Sequence, residues 1–255
     1  METNFCNFSK EQEDALRGIL GSIFSVNDES FQKIVDCYKV FKSDFKGPVK
    51  PGWQTIERKS LLPISENQVL INDFQSGEIQ LGIDLPVLID SENGSNKTVF
   101  IVAEDPLRGD KDRNIMISTP FGLHMEKERI GKQKICWKVV EHFLEKGYQV
   151  YVTDINKLWM KKDGEYKMPL DRLLFENFKS AFENEMEIFN PEFIVTFGKK
   201  AELAVTPFIK AQKILHFLHP SGSANKSWVK LNIGVCNDVN KIIYMKDQID
   251  GALLK

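Results

Sequence analysis

Two acids, Glu104 and Asp105, follow directly on five consecutive apolar residues, Val99 to Ala103, and are themselves stopped by Pro106. Such an apolar run fits a strand buried on both faces, so the acids sit at a strand tip, where open parallel sheets bind ligands. Asp154 ends a second run, Gln149 to Thr153, and His219 follows a third, Lys213 to Leu218. Carboxylates placed there can take part in acid–base or charge-stabilising chemistry. His216 and His219 are three apart, which on a strand puts them on opposite faces, so His219 reads as a lone donor or acid and not as half of a metal pair. Phe121 lies between Pro120 and Gly122, where a rigid turn can present the ring face to a flat ligand. Each residue alone has a plainer reading: a polar strand-to-loop junction, a structural histidine, an aromatic loop anchor. Their joint appearance at strand ends favours chemistry.

The elements that must position them are four strands separated by helices: Val99 to Ala103, Gln149 to Thr153, Phe193 to Phe197 and Lys213 to Leu218. Strands alternating with helices close into a parallel sheet, so the four ends at Asp105, Asp154, Gly198 and His219 fall on one edge. The expected fold is α/β, a three-layer αβα sandwich with a central, mostly parallel, four-stranded sheet and a helical N-terminal extension. Residues 1–60 read as a helical cap packed on a main α/β domain of residues 61–255. Within the cap, Ser9 and Gln12 have capping-box spacing; Leu16, Ile19, Leu20 and Ile23 mark one apolar face, and Phe31, Ile34, Val35, Tyr38 and Phe41 another. Val69 to Ile71 and Ile79 to Ile89 read as short strands, and Leu107 to Met125 as a long loop of the kind that is often functional. A helix is expected over residues 126 to 146 with Gly147 at its C-cap, then a polar, basic connection over Leu158 to Met168 and a helix over Leu170 to Phe189. Ile233 to Cys236 and Ile242 to Met245 read as edge strands or a short helix.

Composition narrows the function classes. A chain of 255 residues with 42% hydrophobic content can bury the core of one large domain. Cys6, Cys37, Cys136 and Cys236 form no C-x-x-C pair, so no zinc or iron–sulfur site is expected, no cofactor is expected, and reduced thiols in a cytoplasmic protein are. The first residues lack a basic-then-apolar signal, and no apolar run reaches about 18 residues, so no membrane partner is expected. A formal net charge of -2 does not announce a nucleic-acid protein, although a local basic patch is compatible with it. No G-x-G-x-x-G or G-x-x-x-x-G-K-S/T pattern occurs, which removes support for dinucleotide and P-loop readings.

The ordered set A-E-D-P at 103 to 106, T-P-F-G at 119 to 122, V-T-D at 152 to 154, F-N-P-E-F-I-V-T-F-G at 189 to 198 and H-P-S at 219 to 221 resembles the uracil-DNA glycosylase superfamily, over residues 95 to 230. The resemblance implies a metal-independent hydrolase of N-glycosyl bonds in base excision repair, a monomer whose partner is DNA carrying a damaged or modified base. It gives Asp105 the orientation of the attacking water and stabilisation of the sugar cation, with Glu104 as competitor if the register is off by one, and gives His219 donation to the base O2. Phe121 would stack on a flipped-out base, and Ser221 would grip a flanking phosphate. These roles suit the chemistry, because the reaction builds positive charge on the sugar and negative charge on the leaving base.

Departures from the family pattern bear on the substrate. Asp154 stands where the family has asparagine; an ionised carboxylate only accepts hydrogen bonds, so it suits an exocyclic amino group and repels the O4 of uracil. Leu107 and Arg108 stand where the classical branch has tyrosine and histidine. Leu107 is expected to admit a substituent at the 5-position, and Arg108 to contact phosphate or such a substituent. Ser223 occupies the place of the leucine wedge and is a candidate for phosphate contact, leaving Trp228 as a nearby bulky candidate, flanked by Lys226 and Lys230 as candidates for the DNA backbone. The other reading of Trp228 is a buried ring beside exposed lysines. Two alternatives to the enzyme stay open: a catalytically altered or inactive DNA-binding protein on the same fold, and a hydrolase of free nucleosides or nucleotides.

Overall fold

The computed structural model describes residues 2–47, 54–77, 79–91, 96–104, 114–162, 172–210, 212–220, 224–231 and 233–254. The first elements are β1 (Thr3–Phe5), α1 (Lys10–Gly21), β2 (Phe24–Ser25) and α2 (Asp28–Lys46). Ser9 starts α1 with a reciprocal capping box: its hydroxyl accepts from the Gln12 amide, and the Gln12 side chain accepts from the Ser9 amide. Then come β3 (Gln54–Ile56), β4 (Leu62–Pro63), α3 (Gln68–Ser76), β5 (Ile79–Asp84), β6 (Val87–Ser91), β7 (Thr98–Ala103) and β8 (Ile115–Ser118). The remainder comprises α4 (Glu126–Ile130), α5 (Lys134–Glu145), β9 (Gln149–Asp154), β10 (Leu158–Lys162), α6 (Arg172–Phe189), β11 (Phe193–Phe197), α7 (Lys199–Val205), β12 (Lys213–Phe217), α8 (Asn225–Val229) and α9 (Asp238–Leu253).

The main sheet has the order β1-β6-β9-β7-β11-β12. Its parallel part, β9-β7-β11-β12, consists of the four strands that the apolar runs predict. Two further strands correct the expected count from four to six: β6 runs antiparallel to β9, and β1 antiparallel to β6. Alternate side chains on the central strands feed two cores. Val99, Ile101, Val150, Val152 and Val195 pack with Val139 and Phe143 of α5 and Met245 and Ile249 of α9. Phe100, Val102, Tyr151 and Ile194 pack with Phe182, Met186 and Phe189 of α6. The result is a three-layer αβα arrangement in which the period-2 alternation of a strand decides the layer each side chain joins.

Several local expectations are corrected. Val69 to Ile71 lie in α3, because the Asn67 side chain accepts from the amides of Val69 and Leu70 and Gly77, at φ 83°, ends the helix in the left-handed region. Part of the supposed loop Leu107 to Met125 is β8, and part of the supposed connection Leu158 to Met168 is β10. These join a second sheet, β10-β5-β8-β3, in which Trp159 is fully buried. Ile233 to Cys236 form neither strand nor helix, whereas Ile242 to Met245 are helical, one of the two readings left open, within the 16-residue α9. The helix expected over 126 to 146 is interrupted at Gly131. A Cβ built on Gly131 would lie 2.5 Å from the Lys127 carbonyl oxygen, and the backbone there (φ -104°, ψ -116°) is not helical. Gly131→Ala is therefore expected to destabilise the fold by about 1–3 kcal/mol in urea unfolding. At the other end of α5, Gly147 (φ 80°) closes the helix as expected: its amide and that of Tyr148 donate to the carbonyls of Leu144 and Phe143, both at 3.0 Å.

Candidate functional site

The carboxyl edge of the parallel strands carries the candidate residues. Ala103 pairs with Asp154 in the β7–β9 ladder, and Phe197 with Phe217 in the β11–β12 ladder, so the four strands end near one level. Beyond β7 and β9 the chains stay joined: the amides of Ile155 and Asn156 donate to the carbonyls of Ala103 and Glu104, each at 3.0 Å. Glu104 is half-buried, and its carboxylate accepts from Lys200 of α7 at 2.9 Å. Asp154 is 2% exposed. Asp105, Leu107, Arg108, Ser221 and Ser223 lie outside the described residues.

Below Asp154 lies a dehydrated ion pair that sequence reading missed. Lys157 Nζ and Glu185 Oε2 of α6 are 2.7 Å apart, both side chains at 0% exposure. Lys157 also donates to the Asp154 carbonyl at 2.6 Å and to the Thr153 hydroxyl. Glu185 further accepts from the hydroxyls of Tyr151 at 2.9 Å and Thr153 at 3.1 Å. Burial, reinforced by Glu185, holds the Tyr151 phenol well above its ordinary pKa, so it stays a donor. The end of β9 is thus tied to α6 through side chains, and the Asp154 backbone has little freedom. A signal was present: Glu185 falls on the helical face of Phe178, Phe182 and Phe189, all buried.

Phe121 arrives at the same edge from the chain after β8. It has φ 58°, in the left-handed region, and is followed by Gly122 at φ 64°. The turn is fixed by Gly122 N donating to Thr119 O at 2.8 Å, while the Thr119 hydroxyl pairs with the ring of buried His124 at 3.0 Å. A β-branched or bulky residue rarely holds a positive φ without surrounding constraints, and here the turn supplies them. The ring is partly buried and edge-on to Phe197, with centroids 5.8 Å apart. The turn also touches β9.

Gly198, at φ 91°, follows β11, and its amide donates to Phe217 O at 2.8 Å. Its missing side chain faces His219, whose Cβ would be 3.7 Å from an added Cβ. The His219 side chain is accessible to solvent, yet desolvation by the surrounding protein lowers its pKa, opposed in part by the Glu104 charge. His219 is neutral at pH 7 and offers one ring N–H. A histidine with a lowered folded pKa leaves stability intact above its ordinary value of 6.5 and withdraws it as pH falls from there through the folded value, because the unfolded chain takes up the proton first. The unfolding free energy is therefore expected to fall less between pH 6.5 and its lower plateau in His219→Gln than in the wild type, as read by urea titration at each pH.

Beyond His219, Lys226 and Lys230 are exposed, whereas Trp228 is fully buried and donates from Nε1 to the His219 carbonyl at 3.0 Å. Of the two readings of Trp228, the buried ring beside exposed lysines is the one the structure shows. Glu104, Asp154, Phe121 and His219 lie along this one edge, and the Glu104 charge acts on the His219 ring. Among the described residues, no group of three or more His, Cys, Asp or Glu is arranged to hold a metal, and no helix is long and apolar enough to cross a membrane. No family model matches the chain, and no curated protein matches it.

Proposed function

We propose that this chain is a DNA glycosylase that hydrolyses the N-glycosyl bond of a flipped-out base without a metal. The observation that carries the reading is the convergence of Glu104, Asp154, the strained Phe121 turn and His219 on one sheet edge, in the order the sequence motifs resemble. In this reading water adds to the sugar carbon, the carbon–nitrogen bond breaks, and the water's proton ends on the departing base. Neutral His219 donates its ring N–H to the base oxygen as negative charge builds there. Asp105 orients the water. Glu104 is the poorer candidate for that role, because Lys200 already occupies one of its carboxylate oxygens.

Asp154 gives the reading its substrate preference. A buried carboxylate held by a rigid backbone favours a base that presents an amino group, and the proposed substrate is such a base in preference to plain uracil. Single-turnover scission of oligonucleotides carrying uracil, cytosine, 5-substituted pyrimidines or deaminated purines, single- and double-stranded, tests both parts. The expected result is excision of an amino-bearing base faster than uracil. Uracil cleaved at least as fast as every such base would overturn the preference, and no scission of any substrate would overturn the enzyme. Binding without scission, with affinity falling steeply as salt rises, would support the binding protein instead.

A further inference from the structure

We propose that Trp228 and Lys241 are positioning residues that set the pose of His219 by holding the backbone on either side of its loop. The inference rests on the proposed role of His219. Trp228 Nε1 donates to the His219 carbonyl at 3.0 Å, and Lys241 Nζ donates to the Pro220 carbonyl at 3.1 Å and to Asn225 Oδ1 at 2.8 Å. Two successive carbonyls are thus captured, and Lys241 ties residue 220 to Asn225 at the start of α8. The two donors form one unit: Lys241 Nζ lies 5.7 Å from the centre of the Trp228 ring, whose other neighbour, Tyr244, meets it edge-on at 5.9 Å.

The choice of a lysine here is physically unusual. Lys241 is 3% exposed and shares a helical face with Met245 and Ile249, where an apolar side chain would seal α9 against the sheet. Among the described residues its ammonium has no carboxylate within ion-pair distance, and it donates to two neutral oxygens, the Pro220 carbonyl and Asn225 Oδ1 at the start of α8. Burying a cation in that way is costly. What the ammonium supplies in return is several directional donors on a long stem, able to reach separate segments of a loop at once.

The far end of α9 gives the clamp a fixed base. Asp250 accepts from His142 Nε2 at 2.9 Å and pairs with Lys146 Nζ at 2.8 Å, both at the end of α5. Met245 and Ile249 are buried in the core between these ends. A helix fastened to α5 at one end and to the His219 loop at the other transmits the rigidity of the core to the ring.

The test follows His219 itself by imidazole NMR titration in the full chain, together with single-turnover scission of the best substrate. Trp228→Phe keeps a ring and deletes the N–H; Lys241→Met keeps the stem and deletes the donors; Lys241→Arg restores donors. The expected result is that the first two move the His219 midpoint up toward the ordinary 6.5 as the ring is released into solvent, with that of His216 unmoved in the same spectra. Scission is expected to slow about tenfold or more with binding unchanged, and Lys241→Arg to recover part of both effects. If Trp228→Phe fails to fold, the Lys241 pair decides. An unmoved midpoint, or a moved midpoint with an unaltered rate, would overturn the proposal. Absence of scission in the wild type would overturn the proposed reaction, and the midpoint alone would then decide whether the clamp holds the ring.

Discussion

Lys157→Met is expected to destabilise the protein by about 3–5 kcal/mol in urea unfolding, because it leaves the Glu185 carboxylate in a dry core without its cation. Both partners are at 0% exposure, so water cannot replace the lost ammonium. The hydroxyls of Tyr151 and Thr153 remain as donors to Glu185 and soften the loss, yet neither carries charge. Glu185→Met alone is expected to cost a similar amount by stranding the lysine. The double variant is the informative one. Replacing a buried ion pair by apolar residues of similar volume is often neutral or stabilising by about 1–4 kcal/mol, so Lys157→Met with Glu185→Met is expected to be more stable than either single variant. Simple additivity of the two costs would mean that the pair does not act as a unit.

His219→Ala is expected to lower single-turnover scission by about 10²- to 10³-fold, the usual consequence of deleting one donor aimed at a developing anion. Asp105→Asn is expected to fall at least as far, since a neutral amide lacks the charge that stabilises the sugar cation and polarises the attacking water. The paired experiment separates roles by pH. With a histidine whose pKa is lowered from the ordinary 6.5, the midpoint of the change in the wild-type rate should lie below that value, where the ring takes up its proton. His219→Ala should lose that lower inflection. Unchanged rates in both variants would remove the mechanism from these residues.

The parallel part of the sheet was legible because central strands in an α/β sheet are covered on both faces, and Val99 to Ala103 or Phe193 to Phe197 then read as unbroken apolar runs. Of the second sheet only β5 was, within the run Ile79 to Ile89. Leu158–Lys162 ends in two lysines and finds its partner Ile79–Ile83 far back in the chain, so no local pattern announces the pairing. The strand tips at Glu104, Asp154 and His219 could be placed from sequence, since the end of an apolar run is visible. Their supports were hidden. Glu185 and Lys241 each interrupt an otherwise apolar helical face, and a single charge in such a stripe looks like an imperfect amphipathic pattern until its partner on another element is known.

The position of β9 bears on how the chain assembles during synthesis. β6 and β7 are neighbours in sequence, yet in the sheet β9 lies between them, antiparallel to the first and parallel to the second. A ribosome that has released residues up to Gly147 has therefore delivered two strands that have no native edge to share. The β1–β6 ladder needs no later strand, but the parallel part of the sheet waits for Gln149–Asp154, which joins β7 about fifty residues back and β6 about sixty. Until that moment Val99 to Ala103 has neither of its native strand neighbours, and an unpaired apolar segment of this kind favours aggregation.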